Sequence, residues 1–450
     1  METPISKDQQ GLCLAGAPAS AEVFDCAVAD YYGLTGDPVG KLKVALERDP
    51  AFALGGVAIA GLFMIGGFRG DHPEVTGALG AARAAIGGAS ARESLHLRAV
   101  EAWAAGRMFE AMAVWEQILA DCPTDALALR FVHDAYFLLG RSSSLRDSVA
   151  RVLPAWDSEN PLTSFVLGQY AFGLEEMGEL GRAEEVGREA FARNPADAWA
   201  VHALAHVLET DCRHAEGIAF LKASRPSWSG AHFMAGHNGW HLALYLIEEG
   251  RFDEVLADYD RFVAPKLADD ATLDRIDASS LLWRLELAGV DVGARWGPVA
   301  ERWMAHVDDH VLAFNDLHLA LAAERSGDAD NVVRLRRSLD DFERFGVGDN
   351  REITVAVGRR LIDGAIAFAE RDYAAAIEAI LPLRDQAIRI GGSHAQRDIV
   401  AQTLIAAAER SGQAGLACDL LAERVAIRPT ARVRAAYERA RAVTAAPSRG

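Results

Sequence analysis

The sequence predicts an all-α protein built as a right-handed α-solenoid, and two observations support this prediction. Half of the 450 residues are hydrophobic, but only 8% are aromatic and only 15 are Pro, a composition typical of helical proteins. A pattern of helix, small-residue turn and helix also recurs along the chain. Each helical pair in such a chain buries its apolar face only against its neighbours, so the pairs stack into a superhelix.

The repeat can be followed in order along the chain. A helical pair is expected between Glu22 and Asp49, and residues 98–115 contain a helix, a turn at Gly106 and a second amphipathic helix. Equivalent patterns follow at Gly140, Gly178 and Gly250, and the hexapeptide Ala-Ala-Glu-Arg-Ser-Gly occurs at 322–327 and at 407–412. Intervals of about 32 to 38 residues between equivalent points are typical of tetratricopeptide-type repeats.

No linker separates these copies, so we predict a single continuous helical-repeat domain over residues 1–450, with a bend near Pro265 to Ala271. One segment, Ala51 to Phe68, carries no charge and reaches the length of a transmembrane helix. Its five glycines and its moderate apolar bulk favour a buried, closely packed helix instead.

Charge and cysteine usage predict the environment and the partners. The net charge of −18 and the isoelectric point near 5.2 argue against a nucleic-acid partner and an anionic membrane, because both require a basic patch. The five cysteines are odd in number, widely spaced and without a CxxC pair, as reduced cytosolic thiols are. The N-terminal residues show no secretory signal. We therefore expect a cytoplasmic protein with neither a nucleic-acid nor a membrane partner, and the sequence does not predict its oligomeric state.

Two stripes of polar residues lie within helices that are otherwise apolar. His202, His206 and Glu209 recur at i, i+4 and i+7, within roughly 60° of one another on a helix. His237 and His241 repeat the i, i+4 spacing on a second helix, with Glu248 on the same stripe and Tyr245 close beside it. An unpaired buried polar group costs about 1–3 kcal/mol, so each stripe is expected to be the partner of the other.

These residues suggest three interpretations, which stay open at this point. The spacing allows each helix to present two imidazoles to a divalent metal, which makes that metal the candidate cofactor and His202, His206, His237 and His241 its candidate ligands. Neutral imidazoles, with Glu209, also serve as general acid and base toward a small molecule. A hydrogen-bonded core network is the structural alternative. The sequence lacks the glutamate of an HExxH protease motif after His202.

Further candidates for substrate binding lie outside the two stripes. His133 and Asp134 are expected to make two separate contacts, because adjacent residues do not share a helix face. Ser393 and Gln396 form a predicted capping box, and the helix that begins there offers His394 and Arg397 to a carboxylate or phosphate. At most one of Asp316 and His318 is expected to reach the site, whereas His306 and His310 are interpreted as a solvated edge.

Five sequence blocks together resemble the tetratricopeptide repeat protein 38 family. They are His133-Asp134-x-Tyr136, His202-Ala-Leu-Ala-His206-Val-Leu-Glu209, Gly236-His-Asn-Gly-Trp-His241-Leu-Ala-Leu, Asp277-Ala-Ser-Ser-Leu-Leu-Trp283-Arg-Leu and Gly-Gly-Ser-His394-Ala-Gln-Arg-Asp398. The resemblance implies a solenoid over the whole chain and no particular reaction. Gly239 stands where the family often has an aromatic residue, which would leave more room beside His241.

Two functional hypotheses follow from these residues. The first is a small-molecule enzyme, a hydrolase or lyase, in which the four histidines and Glu209 are catalytic. In this hypothesis Arg397 anchors an anionic substrate, and His133, Asp134, Trp240 and His394 help to bind it. The second is an interaction scaffold that binds a peptide in its concave groove, as tetratricopeptide proteins commonly do. Histidine, tryptophan and glutamate within apolar helices favour the enzyme.

Overall fold

The computed structural model describes residues 4–445 and confirms the all-α, tetratricopeptide-type prediction. In chain order the first α-helices are α1 (Pro18–Gly33), α2 (Pro38–Arg48), α3 (Ala53–Ile65), α4 (Pro73–Ala85), α5 (Ala91–Ala104), α6 (Met108–Asp121), α7 (Ala126–Leu138), α8 (Ser142–Val152), α9 (Thr163–Glu176), α10 (Leu180–Arg193), α11 (Ala198–Thr210), α12 (His214–Ala223) and α13 (Arg225–Trp228). The chain continues with α14 (His232–Glu248), α15 (Phe252–Asp258), α16 (Thr272–Leu287), α17 (Trp296–Met304), α18 (Ala313–Arg325), α19 (Ala329–Phe345), α20 (Asp349–Ile353), α21 (Arg359–Ala369), α22 (Tyr373–Ile380), α23 (His394–Arg410), α24 (Ala414–Ile427) and α25 (Ala431–Ala445).

Shorter elements complete the described chain. A two-stranded antiparallel hairpin, β1 (Ile5–Lys7) and β2 (Cys13–Ala15), precedes α1 and pairs Ser6 with Leu14. Short segments of 3-10 or π-helix extend or connect the α-helices at Ile86–Gly88, Leu153–Ala155, Tyr259–Val263, Ala264–Asp269, Gly293–Arg295, Thr354–Gly358 and Leu381–Ile390. The stretch from Pro265 to Ala271, where the sequence predicts a bend, overlaps the 3-10 segment Ala264–Asp269.

The contacts between residues divide the chain into two compact units. Unit 1 consists of Met1–Leu204, Ser227–Met234 and Val347–Glu352, and unit 2 consists of Ala205–Pro226, Ala235–Gly346 and Ile353–Gly450. The single continuous domain stays a prediction.

Glycine in the left-handed region sets the turn within the helical pairs. Gly106 and Gly178 both have φ of +77°, and each lies between the two helices of a pair. Left-handed backbone is unfavourable for residues with a Cβ atom, so the recurrence of glycine at this point explains why the repeat is visible in the sequence.

Unit 1 buries the apolar segment that resembles a membrane span. Helix α3 is buried over most of its length, and a Cβ atom on Gly61 would lie 2.3 Å from the ring of Phe131. Its glycines therefore permit close packing against α7. Among residues 4–445, no helix is both long enough and apolar enough to cross a membrane.

Unit 2 has a core that combines tryptophans with polar groups. Helix α16 packs against α18 and α23. The indole N–H of Trp283 donates to Thr403 Oγ1 at 2.9 Å, and that of Trp303 donates to Ser279 Oγ at 2.8 Å. The candidate site lies in the same unit.

Candidate functional site

Three of the predicted histidines converge within unit 2. His206 lies on α11, and His237 and His241 lie one turn apart on α14; all three are buried. The ring centre of His241 is 4.4 Å from that of His206 and 4.9 Å from that of His237. One ring nitrogen from each of the three lies within 4.8 Å of the others. We call His206, His237 and His241 the histidine cluster.

A carboxylate contacts the Nδ1 atom of two of these rings. Asp277 on α16 lies with its Oδ2 atom 2.9 Å from Nδ1 of His237, and Glu209 Oε2 lies 3.2 Å from Nδ1 of His241. Burial alone would raise the pKa of Glu209, but the hydrogen bond from His241 and the charge of Arg428 bring it below its usual range. Glu209 is therefore ionised, and it accepts a hydrogen bond from the Nδ1–H group of His241. This bond fixes the tautomer of that ring.

The imidazole of His241 is neutral. Burial and the neighbouring His206 lower the pKa of His241 to about 3. The Trp240 ring stands edge-on to His241 at 4.9 Å and stacks on His237 at 5.2 Å with an interplanar angle of 9°. Trp240 itself is fully buried, so it helps to hold both rings in place.

Glu209 connects the histidine cluster to a pair of side chains from the C-terminal helices. Its Oε1 atom accepts a hydrogen bond from Arg428 at 3.0 Å. Arg428 also donates to Nδ1 of His394 at 3.2 Å. Because that nitrogen accepts, the proton of His394 is on Nε2, which lies 3.3 Å from Thr210 Oγ1 and donates to it.

Helix α23 presents its polar residues to the same region because of how it begins. Ser393 Oγ accepts from the Gln396 amide at 3.2 Å and Gln396 Oε1 accepts from the Ser393 amide at 3.0 Å, so the predicted capping box is confirmed. Starting the helix there places His394, Asp398 and Gln402 on one face, at i, i+4 and i+8.

Arginines anchor the carboxylate and the carbonyls of that helix. Arg424 makes a two-pronged ion pair with Asp398, with N–O distances of 2.7 and 2.8 Å. Burial would raise the pKa of Asp398, but the charges of Arg424 and Arg428 hold it well below its usual range. Arg284 on α16 donates to the carbonyl oxygen of Ala395 at 2.8 Å, and burial lowers its pKa to about 10, so it is charged at neutral pH.

A small cavity of about 30 Å³ lies within unit 2 beside these groups. We call it the arginine cavity; it is lined by Glu209, Cys212, His214, Leu244, Ile247, Glu248, Arg284, Ala395, Asp398, Gln402, Arg424, Arg428, Thr430 and Val433. Its three arginines and three carboxylates balance in formal charge. Glu248 accepts a hydrogen bond from Thr430 Oγ1 at 2.9 Å, whereas Arg424 bonds Asp398 and Arg428 bonds Glu209.

The structure thus selects different arginines from the sequence. Arg397 is half-buried and donates to the carbonyl of Gly392 at the start of its own helix. The cavity instead receives Arg284, Arg424 and Arg428. Of these, Arg424 and Arg428 have the same i, i+4 spacing as the histidine pairs, a signal that the sequence did contain.

The remaining predicted site residues lie in unit 1 with partners of their own. Asp134 accepts hydrogen bonds from Tyr31 and, at 2.9 Å, from Arg130. His133 donates through Nε2 to the carbonyl of Gln169 at 3.3 Å. His202, one turn before His206 on α11, packs against Phe172 and Trp199 with ring centres 5.3 and 5.1 Å away.

One sequence expectation outside the cluster is wrong. His310 is buried, not part of a solvated edge, because Asp316 Oδ1 and Ser338 Oγ bind its two ring nitrogens at 3.2 and 2.8 Å. His306 is half-buried between Asp309 and Asp270. His318 donates to the carbonyl of Phe314 at 2.8 Å.

Comparisons with known proteins give structural neighbours only. No family model matches the chain. Similar solved structures include the human IFIT1 dimer with PPP-AAAA, at 13% identity and a TM-score of 0.43. Another is the human IFIT1 dimer with m7Gppp-AAAA, at 14% identity and a TM-score of 0.40. Each match covers 98% of this chain and 96% of the other.

The expectation that net charge excludes a nucleic-acid partner is wrong. Human IFIT1, to which this chain is similar, is solved with nucleic-acid ligands. Net charge sums over the whole surface, whereas binding depends on the local arrangement of groups. Here a chain of net charge −18 gathers three arginines and three carboxylates around one cavity, so the local balance differs from the net charge.

Proposed function

We propose that the protein is a helical-repeat binding protein of the tetratricopeptide repeat protein 38 family, and that its arginine cavity takes the anionic group of a small polar ligand. The five sequence blocks support the family assignment. The clustering of Arg284, Arg424 and Arg428 on one cavity supports the ligand class. Guanidinium groups match carboxylate and phosphate oxygens in two-pronged geometry and keep their charge when buried.

Arg428 is the residue that an incoming anion reaches. Its side chain is 15% exposed, and its two terminal nitrogens bond Glu209 and His394 rather than forming a two-pronged pair with one carboxylate. A ligand carboxylate or phosphate that bonds both nitrogens replaces two separate contacts with one fork. Arg424 already makes such a fork with Asp398, so it supports the cavity wall.

Titration calorimetry tests this proposal with inorganic phosphate and with citrate as probes. Wild type is expected to bind at least one of the two anions, and Arg428→Gln is expected to abolish the binding. Arg428→Lys keeps the charge but loses the fork, so it should weaken binding without abolishing it. Arg384→Gln is the matched control, since Arg384 belongs to unit 2 and pairs with Glu423.

Two results would overturn the proposal. Wild type would bind neither anion, or Arg428→Gln would bind as tightly as wild type and Arg384→Gln. The C-terminal carboxylate of a peptide is another source of the same anionic group. Tighter binding of short peptides with a free C-terminus than of their amidated forms would identify that source.

A small-molecule enzyme is the second candidate, with His206, His237, His241 and Glu209 as its acid and base groups in unit 2. The observation that favours it is the chain of hydrogen bonds from the neutral His241 through Glu209 to Arg428 in the cavity wall. Hydrolysis of p-nitrophenyl acetate and p-nitrophenyl phosphate should be detectable in wild type and lost in His241→Ala. Equal rates in the two proteins would exclude this candidate.

A further inference from the structure

We infer that the histidine cluster is a binding site for one divalent metal ion of the zinc class, with His206, His237 and His241 as ligands. The inference does not depend on the anion proposal. It rests on the position of the ring nitrogens, on the carboxylates behind the rings and on the charge around them.

The three imidazoles are already gathered before any ion is considered. A ring nitrogen of each lies within 4.8 Å of the others, and the ring centres of His206 and His241 are 4.4 Å apart. Tetrahedral zinc, with Zn–N distances near 2.1 Å, sets its ligand nitrogens about 3.4 Å apart. A shift of each nitrogen by about 1 Å reaches that spacing.

The carboxylates take the positions that metal sites use behind their ligands. In a carboxylate–histidine–metal arrangement, a carboxylate binds one ring nitrogen and so directs the other to the ion. Asp277 and Glu209 each bind Nδ1, of His237 and His241 respectively. Both rings are therefore oriented to ligate through Nε2.

The charge and the shape of the surroundings suit a divalent cation. The buried carboxyl groups of Glu209 and Asp277 lie next to the cluster, where their oxygens favour a cation. Trp240 packs on the two rings of α14 and limits their movement.

Zinc binding to the whole purified chain tests the inference. Protein stripped with a chelator and dialysed is titrated with zinc chloride, and bound zinc is measured by inductively coupled plasma mass spectrometry. Wild type is expected to bind one equivalent, and His241→Ala and His237→Ala are expected to lose stoichiometric binding. Cobalt(II) gives a second readout, because a four-coordinate site produces an intense visible absorption that six-coordinate cobalt lacks.

Asp277→Asn keeps all three ligands, so it stays informative where a histidine variant fails to fold. It is expected to weaken zinc affinity by about 10- to 100-fold. His318→Gln is the matched control, since His318 is a buried histidine of unit 2 that bonds a backbone carbonyl.

The alternative is a hydrogen-bonded core of neutral imidazoles. Wild type that binds less than one equivalent of zinc would establish this alternative and overturn the metal site. A loss of zinc binding in His318→Gln as large as that in the cluster variants would do the same. An Asp277→Asn affinity equal to that of wild type also overturns the arrangement. The zinc titrations contain neither phosphate nor citrate, so failure of the anion proposal and failure of this one are distinguishable.

Discussion

Glu209 is the side chain that joins the two halves of the candidate site. One carboxylate oxygen bonds His241 in the histidine cluster and the other bonds Arg428 in the cavity wall. A ligand that occupies Arg428 therefore changes the environment of the histidine next to it. The sequence predicts only half of this connection. The i, i+7 spacing from His202 predicts the position of Glu209, but no sequence pattern predicts Arg428 as its partner.

A buried ion pair in unit 1 provides a prediction at the same scale. Arg130 is 2% exposed, bonds Asp134, and lies over the rings of Tyr31 and Trp199 at 5.0 and 4.7 Å. Arg130→Met leaves the Asp134 carboxylate buried without its cation, so it should reduce the free energy of unfolding by about 3–5 kcal/mol in urea titrations.

The double variant separates the charge from the packing. Arg130→Met with Asp134→Leu removes both charges, so it should recover a large part of the lost stability. A double variant less stable than the single one would show that Asp134 has other partners that matter more. Unchanged stability in Arg130→Met would show that the pair is not structural and would return Asp134 to the candidates for ligand binding.

At the scale of elements, the turn glycines carry the repeat. Gly178 has φ of +77° and has no atom within 4 Å of an added Cβ, so substitution there tests backbone strain without a steric clash. Gly178→Ala should reduce the free energy of unfolding by about 1–2 kcal/mol, because it forces a Cβ residue into the left-handed region.

Gly80 is the matched control for that prediction. It is exposed, lies within α4 and also has open space at the Cβ position. Gly80→Ala should raise the free energy of unfolding by about 0.5–1 kcal/mol, because alanine favours the helix interior. Both variants are measured by urea unfolding. Equal effects would rule out the turn conformation as the reason why glycine recurs at this point of the repeat.

Elements also show how far the sequence predicts the site. Histidines at i, i+4 within apolar helices are visible because the helix period brings them to one face, and the structure places three of them together. Asp277, Arg284 and Arg428 come from α16 and from the end of α24, and no helix period relates elements so far apart along the chain. Their partners are decided by tertiary packing, which a single sequence does not encode in its spacing.

Local patterns predict both the fold class and the cluster. The recurring helical pair predicts the fold class, and the i, i+4 spacing of histidines predicts the cluster. The capping box of α23 is equally local and is confirmed. The short hairpin of β1 and β2 was missed, since three-residue strands have too few positions to show alternation. The prediction of a solvated edge at His310 is wrong because Asp316 and Ser338 bond its ring nitrogens and Phe342 stacks on its ring.

For the whole molecule, buried neutral histidines predict how stability depends on pH. Burial lowers the pKa of His133 and of His318 to about 4, below the ordinary value near 6.5. The unfolded chain therefore binds more protons than the folded one between these values. Stability from these groups is full above about pH 6.5 and is lost as the pH falls toward about 4, by about 1.4 kcal/mol per pH unit for each histidine.

His318→Gln isolates one of these histidines. Its free energy of unfolding should fall less steeply than that of wild type when urea titrations are repeated from about pH 7 down to about pH 4.5. The absolute stability of the variant does not enter the test, because the slope is the quantity compared. Identical slopes would show that His318 titrates alike in the folded and unfolded chains.

The anion site of unit 2 is the central claim, and a crystal structure of wild type soaked in selenate tests it most directly. Selenate resembles phosphate in shape, and diffraction data collected at the selenium absorption edge locate it independently of the protein atoms. We expect an anomalous peak in the arginine cavity within hydrogen-bond distance of the Arg428 guanidinium. Peaks confined to surface arginines such as Arg384, with none in the cavity, would contradict it.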